Sequence, residues 1–81
     1  MDQHFASLVL GLATQAGQAL DGSLPGVPDG VSSRDAARAL IDTIAMLETK
    51  MAGSLNEEEK RLLRETLTAL RFRFVQTEKK A

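Results

Sequence analysis

Between Leu40 and Glu59 the chain reads LIDTIAMLETKMAGSLNEEE, the end of one amphipathic helix, a stop, and a capped start of the next. Upstream, Ser32 can cap a helix with Asp35 three residues on, as in a capping box. Ala37, Leu40, Ile44, Leu47 and Met51 then alternate three- and four-residue steps, a seam widened by Ile41. Gly53 is expected to end this helix, because glycine accepts the left-handed conformation common at helix C-termini. Leu55 should tuck under the turn. Asn56 is a good N-cap with Glu59 at N3, and Glu57 and Glu58 sit at the positive end of the dipole. Leu63, Leu67, Leu70 and Phe74 carry the following helix. The spacing predicts helices over about 33–52 and 57–76, folded as an antiparallel hairpin.

A third helix is expected before them, over about 3–20. Phe5, Leu8, Val9, Leu12, Ala13, Ala16, Ala19 and Leu20 recur at helical spacing. Its other side is small and polar, with Ser7, Gly11, Thr14 and Gln18 in line. Gly11 and Gly17 each cost a helix about 1 kcal/mol relative to alanine, so close approach of another backbone is expected there. Residues 21–31 (DGSLPGVPDGV) hold three glycines and both prolines and must form a loop. That loop lacks the spacing of a phosphate-binding glycine motif, and no strand pattern precedes it. Residues 77–81 read as a frayed polar tail. The whole is all-α and one domain, 1–81, small enough that a monomeric core would be marginal. Dimerisation is the expected way to complete the bundle.

Cysteine is absent, which excludes disulfides and thiolate metal sites and fits a reducing compartment. Residues 3–20 carry no charged side chain, yet Gln3, His4, Ser7, Thr14, Gln15 and Gln18 interrupt them too often for a membrane span. The opening Met-Asp-Gln-His lacks the basic start of a signal peptide. Charge is lopsided. Residues 1–59 hold nine acids and three bases, and residues 60–81 hold seven bases and two acids. Acids at the start and bases at the end of the last helix are what its dipole favours.

Residues of the hairpin carry a resemblance. Phe5, Leu8, Leu12, Ala13 and Ala16, then Leu40-Ile41-Asp42, Leu47-Glu48, Lys50, Gly53, Leu55 and Glu59, and finally Leu63, Leu67, Leu70-Arg71 and Phe74 are similar to the bacterial family catalogued as domain of unknown function 1844. In that family the turn reads Lys-Thr-x-Gly-Asn-Leu-Thr, where this chain has Lys50-Met51-Ala52-Gly53-Ser54-Leu55-Asn56. Gly53 and Leu55 match, Asn56 replaces one N-cap by another, and Met51 and Ser54 depart. The resemblance implies a short, cytoplasmic, helical bacterial protein and brings no known activity or site.

The inventory for chemistry is thin: one histidine, no cysteine, no tyrosine. His4 has Leu8, not a second ligand, at i+4. Glu57, Glu58 and Glu59 diverge by about 100° per residue and cannot converge on one ion. Asp42 and Glu48 fall on different faces, and Asp42 is expected to meet Arg38 at i−4. No catalytic activity, cofactor or metal is expected. Arg71-Phe72-Arg73-Phe74 interleaves bases with aromatics, but Phe72 and Phe74 lie about 160° apart on a helix and share no stacking platform.

The expected role is a helical protein–protein interaction or oligomerisation module, a homodimer with Ser7, Gly11, Thr14, Gln18, Phe72 and Val75 at the interface. Phe72 and Val75 fall well outside the main stripe of the last helix and call for a cover of their own. The alternative is a nucleic-acid-binding accessory protein, contacting phosphates through Arg61, Arg64, Arg71 and Arg73.

Overall fold

The computed structural model describes residues 1–79. Three helices follow one another there: α1 (Gln3–Asp21), α2 (Ser33–Lys50) and α3 (Glu57–Lys79). Each starts on a side chain that satisfies backbone N–H groups which have no partner inside the helix. For α1 it is Asp2, whose Oδ1 accepts from the N–H of His4 at 2.8 Å and of Phe5 at 3.2 Å. These two bonds, the Phe5 bond first, hold the Asp2 carboxyl below the usual aspartate range. Ser32 Oγ accepts the Asp35 N–H at 3.0 Å for α2. At α3 the box is reciprocal: Asn56 Oδ1 accepts the Glu59 N–H at 2.9 Å, and Glu59 Oε1 accepts the Asn56 N–H at 3.0 Å.

The helix ends depart from expectation in three places. The left-handed cap belongs to α1, where Gly22 has φ 78° and donates to Ala19 O at 3.1 Å while the Ser23 N–H reaches Gln18 O at 2.8 Å, a Schellman closure. Gly53 is not left-handed, and α2 stops at Lys50 rather than 52. Met51, at φ −105° and ψ 9°, still donates to Leu47 O, and a further turn closes from the Ser54 N–H to Met51 O at 2.9 Å. The chain thus reverses through right-handed turns, with Met51 and Leu55 packed against the core on either side. Finally, α3 continues past 76 to Lys79, and Arg34 of α2 donates to Phe74 O and Thr77 Oγ1 in this stretch. Of the expected frayed tail, residues 80 and 81 lie outside the described residues.

The three helices form a bundle within one chain. α2 and α3 are antiparallel. α1 runs alongside α3 in the same direction, since Asp2 meets Glu59 at one end and Asp21 meets Arg73 at the other. The core joins Phe5, Val9 and Ala16 of α1, Ile41 and Ile44 of α2, and Leu63, Leu67 and Leu70 of α3. It is aliphatic but for one ring. Complete burial of side chains such as Val9, Ile44, Leu63 and Leu67 stabilises the fold by about 1.5–3 kcal/mol each. The 23 residues of α3 extend about 34 Å at helical rise, which accounts for most of the 38 Å longest dimension.

Two side-chain placements differ from the sequence pattern. Leu8, grouped with the apolar face of α1, is 48% exposed, because that face centres between Phe5, Val9 and Ala16 and Leu8 falls beyond its edge. Gly17 is buried, but what approaches it is a side chain rather than a backbone: a Cβ there would lie 3.1 Å from Arg73 Nη1.

Candidate interaction surface

The expected interface residues divide between two helices. Ser7, Gly11, Thr14 and Gln18 are all exposed on the outer face of α1. Nothing lies within 4 Å of where a Gly11 Cβ would stand, and Thr14 Oγ1 turns back to Leu10 O at 2.9 Å. Phe72 and Val75 lie on α3, 64% and 47% exposed. Phe72 is the most exposed large apolar side chain among the described residues.

At 100° per residue, Arg61, Arg64, Glu65, Thr68, Arg71, Phe72 and Val75 share an arc of about 120° on α3, whose centre lies about 130° around from the buried Leu63, Leu67 and Leu70 and whose Arg71 edge adjoins Leu67. All seven are exposed. Two depressions bracket this strip. One is an open groove of about 320 Å³ between α2 and α3, floored by Ile41, Phe74 and Val75 and rimmed by Arg38, Asp42 and Arg71. The other lies along α3 itself, lined by Arg64, Glu65, Thr68, Ala69 and Phe72.

Charge is distributed unevenly over these arginines. Arg73, expected beside Arg61, Arg64 and Arg71, points elsewhere: its Nη2 donates to Asp21 Oδ1 at 3.1 Å and its guanidinium crosses Gly17. The four do not form one stripe. Among the described residues the ion pairs are Arg73 with Asp21 and Lys60 with Glu57, so the expected Arg38–Asp42 pair does not form, and Arg38, Arg61, Arg64 and Arg71 pair with no carboxylate. Guanidinium groups stay protonated and hold anions or stack on rings; they move no proton. An exposed phenylalanine with unpaired arginines around it is suited to docking.

Sequence reading missed two polar contacts. Glu59, foreseen only as a cap residue of α3, is 6% exposed, and its second oxygen accepts the Asp2 N–H at 3.1 Å. An aspartate directly before a helical apolar pattern was the available signal for that end of α1. Arg34 stacks over the Phe74 ring at 3.8 Å from the centroid, a contact across 40 residues that no local pattern announces. His4 is exposed, and among the described residues no three His, Cys, Asp or Glu side chains gather as a metal site. No described helix is long and apolar enough to cross a membrane.

The chain belongs to the family described as domain of unknown function DUF1844, whose model matches residues 2–76. That span runs from the N-cap of α1 almost to the end of α3, so the family pattern and the bundle coincide. No curated protein and no solved structure matches the chain.

Proposed function

We propose that this chain is a cytoplasmic, non-catalytic interaction module that self-associates as a dimer through the outer face of α3. Phe72 carries the reading. The core is complete without it, yet it and Val75 stand in solvent one turn apart among unpaired arginines. Aromatic residues and arginine are enriched at interface centres, and covering a side chain of this size contributes roughly 1.5–3 kcal/mol. The small polar face of α1 is the competing surface, but Ser7, Gly11, Thr14 and Gln18 offer far less apolar area to bury.

Light scattering at micromolar concentration tests it. Wild type should have the mass of two chains and a melting temperature that rises with concentration, and Phe72→Ser the mass of one, still helical and folding cooperatively, with a melting temperature independent of concentration. A folded single-chain wild type would end the proposal. Gly11→Leu and Thr14→Lys should leave the mass unchanged; dissociation by these two alone would move the interface to α1.

A second reading is supported by Arg61, Arg64 and Arg71, which lie unpaired on the same exposed arc and could follow a phosphate backbone. Glu57 and Glu58, which line a depression with Arg61 and Arg64, and Glu65 on the same strip oppose it. A nucleic-acid shift assay over a salt series decides: real phosphate contacts weaken steeply as salt rises.

A further inference from the structure

The groove between α2 and α3 has walls whose charges do not cancel. The two helices are antiparallel, and Arg34 of α2 reaches Phe74 of α3, its Nη1 donating to Phe74 O at 3.3 Å. One turn on from Arg34 is Arg38, and one turn back from Phe74 is Arg71, so these two arginines stand at one level on opposite walls. Asp42 follows a turn later along α2 on the same rim. All three residues are exposed, and none makes a side-chain hydrogen bond or ion pair among the described residues. Two guanidiniums and one carboxylate leave the rim with one positive charge in excess.

Below the rim the lining is apolar: Ile41, Phe74 and Val75. This floor is formed in advance. Ile41 belongs to the core, and the Phe74 ring is held by the Arg34 guanidinium 3.8 Å from its centroid. The groove holds about 320 Å³, within the range of roughly 300–1,000 Å³ that small-molecule sites occupy.

We propose that this groove binds a small monocarboxylate with an apolar body, the class of a medium-chain fatty acid. Its carboxylate sits between Arg38 and Arg71, each of which donates through a planar fork matched to two carboxylate oxygens. Its acyl chain covers Ile41, Phe74 and Val75. A single negative charge balances the rim, and Asp42 repels a second, which selects against phosphate, dicarboxylates and a nucleic-acid backbone. The site lies within one chain and goes beyond the self-association proposed above, whose anchor Phe72 is not part of its lining.

An NMR titration of the full chain with sodium octanoate at neutral pH tests this. Millimolar octanoate should shift the Ile41 and Val75 methyl signals and the Phe74 ring signals saturably, and leave those of Leu8 and Leu10 on α1, 48% and 55% exposed, in place. Hexanoate should bind roughly tenfold more weakly, since each buried methylene is worth about fourfold. Arg38→Gln and Arg71→Gln, checked for helicity by circular dichroism, should each weaken octanoate roughly fivefold, and Asp42→Asn should tighten it. Phe72→Ser should bind as wild type does. Octanol that binds as well as octanoate, indifference to both arginine variants, or displacement by inorganic phosphate overturns the monocarboxylate site. Shifts spread equally over Leu8 and Leu10 mean general adsorption and overturn the groove, as does a titration without shifts. Tighter binding of a leucine dipeptide blocked at its amine assigns the groove to a polypeptide C-terminus and overturns the free acid. Self-association is read separately, by light scattering, and a single-chain wild type leaves this site standing.

Discussion

The Glu59 carboxylate accepts the backbone N–H of Asp2 at 3.1 Å, across 57 positions of sequence. Its other oxygen accepts the N–H of Asn56, so one side chain completes the caps of α1 and α3 together. Carboxylates are suited to this because they accept only, and each oxygen takes a separate donor. Glu59→Ala should destabilise the fold by roughly 1–3 kcal/mol, from two N–H groups left without their acceptor. Glu59→Gln should cost less but not nothing, since its amide nitrogen would face one of the donors. Urea unfolding measures both, and an unshifted midpoint for Glu59→Ala would remove the shared cap.

Asp2 should give the fold an acid-sensitive component. Its folded-state carboxyl lies below the usual range through the Phe5 and His4 N–H bonds. A depressed carboxyl stabilises the fold fully above the unfolded value, about 4, and that contribution is lost as pH falls through the lower folded value. Asp2→Asn keeps an accepting oxygen but cannot titrate, so its melting temperature relative to wild type should improve as pH drops from neutral into that window. A difference between the two that stays constant with pH would show that Asp2 does not act through its charge.

Truncation should separate the inside of the bundle from its outside. Ile44 and Leu63 are completely buried between three helices, and replacing either with Ala should cost about 2–5 kcal/mol. Leu8→Ala, half in solvent, should cost less than 1 kcal/mol. Comparable losses at Leu8 and Ile44 in chemical denaturation would mean that α1 packs in another register.

Much of this division was legible from spacing. The stripe of Leu63, Leu67 and Leu70 and the Asn56–Glu59 cap follow from local chemistry, since both partners lie within one turn. What escaped was set by tertiary contact. Leu8 satisfies helical periodicity as well as Leu12 does, and only the direction from which α2 and α3 approach decides that Leu12 is covered and Leu8 is not. Gly11 and Gly17 read as sites of close backbone approach, but nothing lies near Gly11 and the neighbour of Gly17 is the Arg73 side chain, which no local pattern could announce. At the candidate surface, Phe72 and Val75 were legible because they lie off the stripe their own helix requires. The diversion of Arg73 to Asp21 was not, because those residues are 52 positions apart.

Glycine substitutions should rank the two turns. Gly22 sits at φ 78°, where an L side chain costs roughly 1–2 kcal/mol, so Gly22→Ala should destabilise by about that amount. Gly53 lies outside the left-handed region with nothing within 4 Å of a Cβ, and Gly53→Ala should be neutral or stabilising by up to about 1 kcal/mol. Thermal melts of the two variants should therefore move in opposite directions or differ by several degrees. Equal destabilisation would place a left-handed residue at Gly53 after all.

The last turns of α3 should depend on a residue of α2. The Arg34 guanidinium lies 3.8 Å from the Phe74 ring centroid, and its Nη1 donates to Phe74 O at 3.3 Å and Thr77 Oγ1 at 3.1 Å. Helix C-terminal carbonyls carry the negative end of the dipole, so a cation held against them is favourable as well as hydrogen-bonded. Arg34→Ala should cost about 1–3 kcal/mol and increase amide exchange from Phe74 onward while leaving the first turns of α3 protected. Arg34→Lys should recover only part of this, since an ammonium cannot lie flat on the ring and reach the carbonyl through the same planar fork. Phe74→Leu removes the ring but keeps the backbone acceptor, so the double variant with Arg34→Ala isolates the stacking share. If Arg34→Ala leaves exchange near Thr77 unchanged, α3 persists to its end by its own helical propensity and α2 merely lies beside it.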